Sequence, residues 1–459
     1  VTIGAGNSYT VDSLTLASGS PTLVIAGTLD FAGTSDLLDL TSGYLDITGE
    51  LIGATIAQSG GTLAFNGSTW DNVTDEGTLN LTAAGSSLYL AGTDVFTGAA
   101  GTGAGVINLT GSNAVLYTDD NTTLNNATLN FGGAGVADTI YLNPVTTYTD
   151  SLTLGSGMDL VQSATGSVDK IDLYTGPDSG FLVNQGTINA GAQGGGFTVY
   201  NAGQISGFTN SGLLAISNGD YFDVAAVTTF TNQGHITVSS GGTLDLSTIG
   251  TFTNSGSIIV TGTDSVLNLG GTITSPNLNS IIDLGGTINI TGDLINTGNT
   301  FTVVSGINLT AGEISGGTVV DASGQLSAAG GTLSGVTYDG TLSLAASGAN
   351  IYLAGVDTFN GAAGTGAGVI NLTGSGAVLY TDDNTALNNA KLNFGGAGVD
   401  DTIYLNPVTT YTDSLTLGSG MDLVQSATGS VDKIDLFSGP ESGFLVNQGT
   451  INAGAQSGS

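Results

Sequence analysis

Residues 210–258 read NSGLLAISNGDYFDVAAVTTFTNQGHITVSSGGTLDLSTIGTFTNSGSI, and the triplet Asn-x-Gly recurs in them at 210, 232 and 254 with an aliphatic residue close behind each time. The starts are 22 residues apart. Between them apolar and polar residues alternate, as in Leu244-Asp245-Leu246, and a period of two marks strands with one buried face. A repeat of about 20 residues holding two or three short strands is one coil of a parallel β-helix. The spacing therefore predicts an all-β chain.

The same signature spreads outward. NQGTI (184–188), NAGQI (201–205) and NQGTI (447–451) are relatives with looser spacing. A second signature, Gly-Gly-Thr plus an aliphatic residue, appears at 241, 270, 285, 316 and 330. The β-propeller alternative needs units of about 40–50 residues with blade motifs, and these do not occur. Separate β-sandwich domains would need linkers, and the composition shows none.

A far longer duplication overlies this rhythm. Residues 89–193 recur at 352–456, an offset of 263, with ten differences, among them Thr128 to Lys391, Ala137 to Asp400 and Tyr174 to Phe437. Weaker similarity extends upstream, so the duplicated blocks are 41–193 and 304–456, joined by 194–303. We expect residues 1–459 to form one continuous β-solenoid of roughly 20 rungs. Trp70, in STWDNVTDEGTL, aligns with GVTYDGTL once an insertion is allowed, which pairs it with Tyr338 and places it at a partly buried corner.

Composition fits this fold. Hydrophobic residues make up 40% and charged residues 9%, enough apolar content for a continuous core. Glycine (76 residues) and asparagine suit corners with positive φ, and asparagines can stack into amide ladders. With 37 acidic residues against three lysines and no arginine, the net charge is −34. All but four of the acids are aspartate, and we expect them mostly in solvated turns, scattered because stacked carboxylates repel. Such a surface disfavours nucleic acid and anionic lipid. No stretch approaches the roughly 20 apolar residues of a membrane-spanning helix. There is no cysteine.

The segments VTIGAGNSYTVDSLTL (1–16), GGTLSGVTYDGTLSL (330–344) and the Asn-x-Gly series resemble the haemagglutinin-like, autotransporter-passenger-like β-strand-repeat proteins of bacterial surfaces. The resemblance implies export, a right-handed parallel β-helix, an extracellular or cell-surface location, and roles in adhesion, aggregation or biofilm matrix. It carries over no functional residues.

Chemistry is sparse. A β-helical polysaccharide lyase needs a base with arginine or lysine nearby, yet only Lys170, Lys391 and Lys433 exist, and Lys170 sits between Asp169 and Asp172. A hydrolase needs paired carboxylates. Asp119–Asp120 and its copy Asp382–Asp383 are the obvious pairs, but neighbours on a strand face opposite ways unless the chain turns there. The single histidine, His235, replaces a polar rung residue and reads as outward-facing. No catalysis is expected and no cofactor is required.

Calcium is the one ion with a candidate motif. GGAGVDDTI (395–403) matches a calcium nonapeptide through Asp400, but Thr402 holds an aliphatic position and the first copy has Ala137. Asp119, Asp120, Asp382, Asp383 and Asp400 are the candidate ligands for weak binding. The expected function is an extracellular structural fibre or matrix protein whose partner is itself, end to end or within a longer rod, since neither terminus carries a helical cap. A glycan- or surface-binding adhesin, with polysaccharide or a cell surface as partner, is the alternative.

Overall fold

The computed structural model describes all residues except 34–35, 146–148, 174–178, 202–204, 399, 407–411, 426, 437–441 and 455–459. Strand accounts for 61% of the chain and helix for 1%, which puts the chain in the all-β class as a parallel β-helix. The chain forms two compact units, residues 1–250 with 254–265, and residues 251–253 with 266–459.

The first unit shows how the Asn-x-Gly signature builds a coil. Strands Tyr221–Ala225, Thr229–Asn232 and His235–Val238 are three sides of one turn. Each pairs in parallel with its neighbour a coil away: Tyr221 with Thr243, Phe230 with Phe208, His235 with Ser257. Burial alternates along every side, and Phe222 and Val224 point inward while Tyr221 is exposed. Inward rings stack between coils: Phe197 and Phe222 lie 4.8 Å apart with planes 13° from parallel. That separation is the inter-strand spacing of a sheet, so ring stacking and backbone pairing reinforce each other.

At the corner, the carbonyl of Asn210 accepts the amides of both Gln233 and Gly234, at 2.7 and 2.9 Å. Asn232 does the same for Ser255 and Gly256. The side chains run a buried ladder: Asn184 donates to Asn210, Asn210 to Asn232 and Asn232 to Asn254 at 2.7–2.9 Å. Each amide also donates to a carbonyl across the corner, Asn210 to that of His235 at 3.1 Å. The glycine is required by close approach, because a Cβ on Gly234 would collide with the carbonyl oxygen of Gly212 one coil before.

Coil length varies. Ladder bonds join residues 22 apart at Asn210–Asn232 but 31 apart at Asp138–Asp169. In the second unit the step shortens to 19 at Asn289–Asn308. Coils differ in the turns they carry, and some pairings shift register, as between Ala91 and Thr93, which is why the finer repeat looks irregular as text.

The second unit follows the same rules. Strand Thr287–Ile290 pairs with Val266–Leu269 and with Ile307–Leu309, and the outward amides of Asn268, Asn289 and Asn308 form their own ladder. A helical turn, Ser275–Leu278, opens with proline near its start and buries Leu278. Strands of the duplicated block repeat their registers: Tyr117 pairs with Tyr141 in the first unit and Tyr380 with Tyr404 in the second.

Two expectations need correction. Trp70 is fully buried in Ser68–Asp71 opposite Leu51 and Leu90, and the matching position at the 263-residue offset is Leu333, which pairs with Leu353. Tyr338 instead occupies the place of Asp75: Asp75 pairs with Phe96 and Tyr338 with Phe359. The backbone stays in register without the insertion that the text alignment needs. The aspartates are not all solvated or scattered either. Asp223 and Asp245 are stacked in register, and at least ten others are buried.

Candidate functional site

The outer face of the duplicated block carries a cluster of aromatic, acidic and amide side chains. Tyr89, Tyr117 and Tyr141 sit in one register column on three successive coils. The first two rings stack 4.3 Å apart and the third meets Tyr117 edge-on at 5.6 Å. The second block repeats this with Tyr352, Tyr380 and Tyr404 at 4.5 and 5.6 Å. Outward aromatic columns of this kind offer a surface suited to apolar and hydroxyl-bearing ligands together.

Beside the tyrosines runs an acidic and amide row. Asp119 lies in register with Ala91 and Asn143 and accepts from the Asn143 side-chain amide at 2.7 Å. Asp382 accepts from Asn406 at 2.8 Å in the second block. Glu50, Asp71, Asp119 and Asp120 line an open groove of about 460 Å³. Burial is the main cause that raises Asp119 and Asp382, and the adjacent Asp120 and Asp383 add to it.

The sequence-derived ligand candidates also take part in hydrogen bonds between coils. Asp120 and Asp383 adopt positive φ (51° and 42°), so each pair does span a corner, as a joint role demanded. Asp120 accepts the amide of Val145 at 2.9 Å. Thr122 and Thr385 close the corner by donating to Leu90 and Leu353 carbonyls. Asp400 is exposed and its carbonyl accepts the amide of Gly376 at 3.1 Å, while residue 399 in the same motif lies outside the described residues. Among the described residues, no three or more acidic or histidine side chains are grouped so as to hold a metal ion.

His235 is exposed and meets the Ser257 hydroxyl at 2.6 Å through Nδ1. Lys170 and Lys433 pair with Asp172 and Asp435 at 3.0 Å, while the other flanking carboxylate, Asp169, is buried.

The functional groups missed in the sequence are the inward aspartates. Asp94, Asp138, Asp150, Asp169 and Asp220 are each at most 1% exposed. Four of them serve as corner clamps: Asp94 accepts the amide of Val73, Asp138 that of Ala114 and Asp220 that of Ala192. Asp138 in turn donates its own amide to Asp169, which also accepts from Gln162 at 2.8 Å. Burial raises Asp138 and Asp220 to about 6 and Asp75 to about 7. The signal was present in the text. Each of the five aspartates stands two residues before an inward apolar side chain (Phe96, Ile140, Leu152, Ile171, Phe222), so alternation puts it on the buried face.

Compared with known proteins, the chain matches no family model, and no curated protein aligns with it significantly. No helix among the described residues is long and apolar enough to cross a membrane.

Proposed function

We propose that the chain is a structural segment of an extracellular or cell-surface fibre, self-associating end to end or continuing within a longer rod. One observation carries this reading: coil joins coil through parallel pairing and directional amide ladders. Any coil edge is then the complement of another, and an uncovered edge templates further strands. The 263-residue block repeats its registers, so the design tolerates extension by whole blocks. The reading assigns no catalytic step and requires no cofactor. Sedimentation velocity over a concentration series tests it: a fibre former shifts to larger species as concentration rises, and an unchanged single species would refute association.

A second reading, a glycan-binding adhesin, is favoured by the two tyrosine columns flanked by Asp119–Asn143 and Asp382–Asn406. Aromatic edges beside carboxylate and amide groups suit sugar C–H faces and hydroxyls. Retention on immobilised polysaccharides that is lost in the Tyr117→Ala, Tyr380→Ala variant would support it, and equal retention of that variant would remove it.

A further inference from the structure

Most buried carboxylates in folded proteins are paired with a cation or saturated with hydrogen bonds, because an isolated buried charge is costly. Asp94 and its duplicate Asp357 have neither. Both are 0% exposed. Oδ1 of Asp94 accepts the Val73 amide at 2.8 Å, and Oδ1 of Asp357 accepts the Val336 amide at 2.8 Å. In both residues Oδ2 is buried without a hydrogen-bond partner. One oxygen holds the neighbouring coil and the other faces only protein.

The surroundings supply no compensating charge. Elements packed against the strand of Asp94 carry Asp71, Asp75, Glu76, Tyr117, Asp119 and Asp120, and its own strand carries Tyr89. Those packed against the strand of Asp357 carry Tyr338, Asp339, Tyr380, Asp382 and Asp383, and its own strand carries Tyr352. Lys391, on Ala390–Phe394, is the one cation among them, and it is exposed. Every other titratable neighbour is acidic or phenolic.

We propose that Asp94 and Asp357 carry a proton in the folded chain, so that each corner is locked as a neutral acid and loosens when the proton leaves. The proton resides on Oδ2 and leaves Oδ1 free to accept the amide of the coil before. On ionisation the corner holds an unpaired buried charge, which is relieved by opening toward water. The device is therefore firm in acid and slack in alkali. Burial raises Asp357 to about 8 and Asp94 well above the ordinary range, in keeping with the geometry. The twins differ in several neighbours, Asp75, Glu76 and Thr128 of the first block being Tyr338, Asp339 and Lys391 in the second. Asp94 also feels the charge of Asp71, whereas the equivalent position in the second block is Ser334.

Two measurements on the full chain decide the matter. In the first, unfolding midpoints are compared between pH 5 and pH 9 for the wild type and the Asp94→Asn, Asp357→Asn variant. The asparagines keep the acceptor but cannot ionise, so the fall in midpoint across that range should be smaller in the variant. An equal or larger fall would overturn the proposal. The second guards against a variant that does not fold: infrared difference spectra of the wild type with 13C-labelled aspartate. A protonated-carboxyl band still present at pH 8, above the range in which Asp75, Asp138, Asp150 and Asp220 titrate, is expected, and its absence at pH 8 would overturn the proposal by itself.

Discussion

The side-chain amide of Asn210 donates to Oδ1 of Asn232 at 2.9 Å, one coil further along, and Asn232 passes the same bond to Asn254 at 2.8 Å. All the donors point one way. Each asparagine spends its second N–H on a corner carbonyl, so the ladder satisfies polar groups that the core would otherwise strand.

Removing a middle member breaks two ladder bonds and leaves Oδ1 of Asn254 without its donor. Asn232→Ala should destabilise the fold by about 2–3 kcal/mol, read from urea unfolding. A loss under about 0.5 kcal/mol would show that the ladder contributes little.

The ladder also has a start. Oδ1 of Asn184 is buried and unpartnered, and the residue in register before it is Leu154. Leu154→Asn should supply the missing donor, at the expense of buried apolar area. We expect it to cost less than Leu152→Asn, which faces Leu182 and has no amide to meet. Paired melting curves give the order, and the reverse order would contradict the register.

Gly234 is set by the carbonyl of Gly212, so Gly234→Ala forces the corner apart. The expected cost is about 1–3 kcal/mol. Gly219→Ala, where a Cβ would meet nothing within 4 Å but φ is +71°, should cost less than this and act through backbone strain alone. Equal effects at the two sites would remove the close-approach explanation.

Tyr338 donates to Oδ2 of Asp321 at 2.6 Å in a fully buried setting. Asp321 also accepts the amides of Gln325 and Leu326. Tyr338→Phe should cost about 1.5–3 kcal/mol, the range for a bond to a charged acceptor, read as a shift in unfolding midpoint. No shift would mean that the two backbone amides suffice.

Stability should fall as pH rises. Asp138 and Asp220 at about 6 and Asp75 and Asp150 at about 7 stand above the ordinary 3.8, so between those limits the folded chain binds more protons than the unfolded chain. Their contribution is complete below about pH 4 and is lost as pH rises through 6 to 7. Thermal unfolding at pH 4.5 and pH 8 reads the sign, and a higher midpoint at pH 8 would contradict it.

How much of this was legible follows from what alternation can and cannot encode. The Asn-x-Gly series disclosed the coil, because asparagine and glycine each answer a need that recurs once per turn. The inward aspartates were equally visible in principle, as Asp138 before Ile140 shows, but composition suggested turns and obscured the period of two. The exchange of Tyr338 for Asp75 was not legible, since text alignment favours aromatic with aromatic while the register is set by backbone pairing. The tyrosine columns required the coil lengths, 28 residues between Asn80 and Asn108 and 24 between Asn143 and Asp119, which no uniform repeat predicts.

Coil-on-coil pairing is proposed to continue between chains, end to end. Negative-stain electron microscopy of the full chain over a rising concentration series tests it most directly. Filaments of constant width that lengthen with concentration are predicted, and particles of single-chain size at every concentration would contradict it.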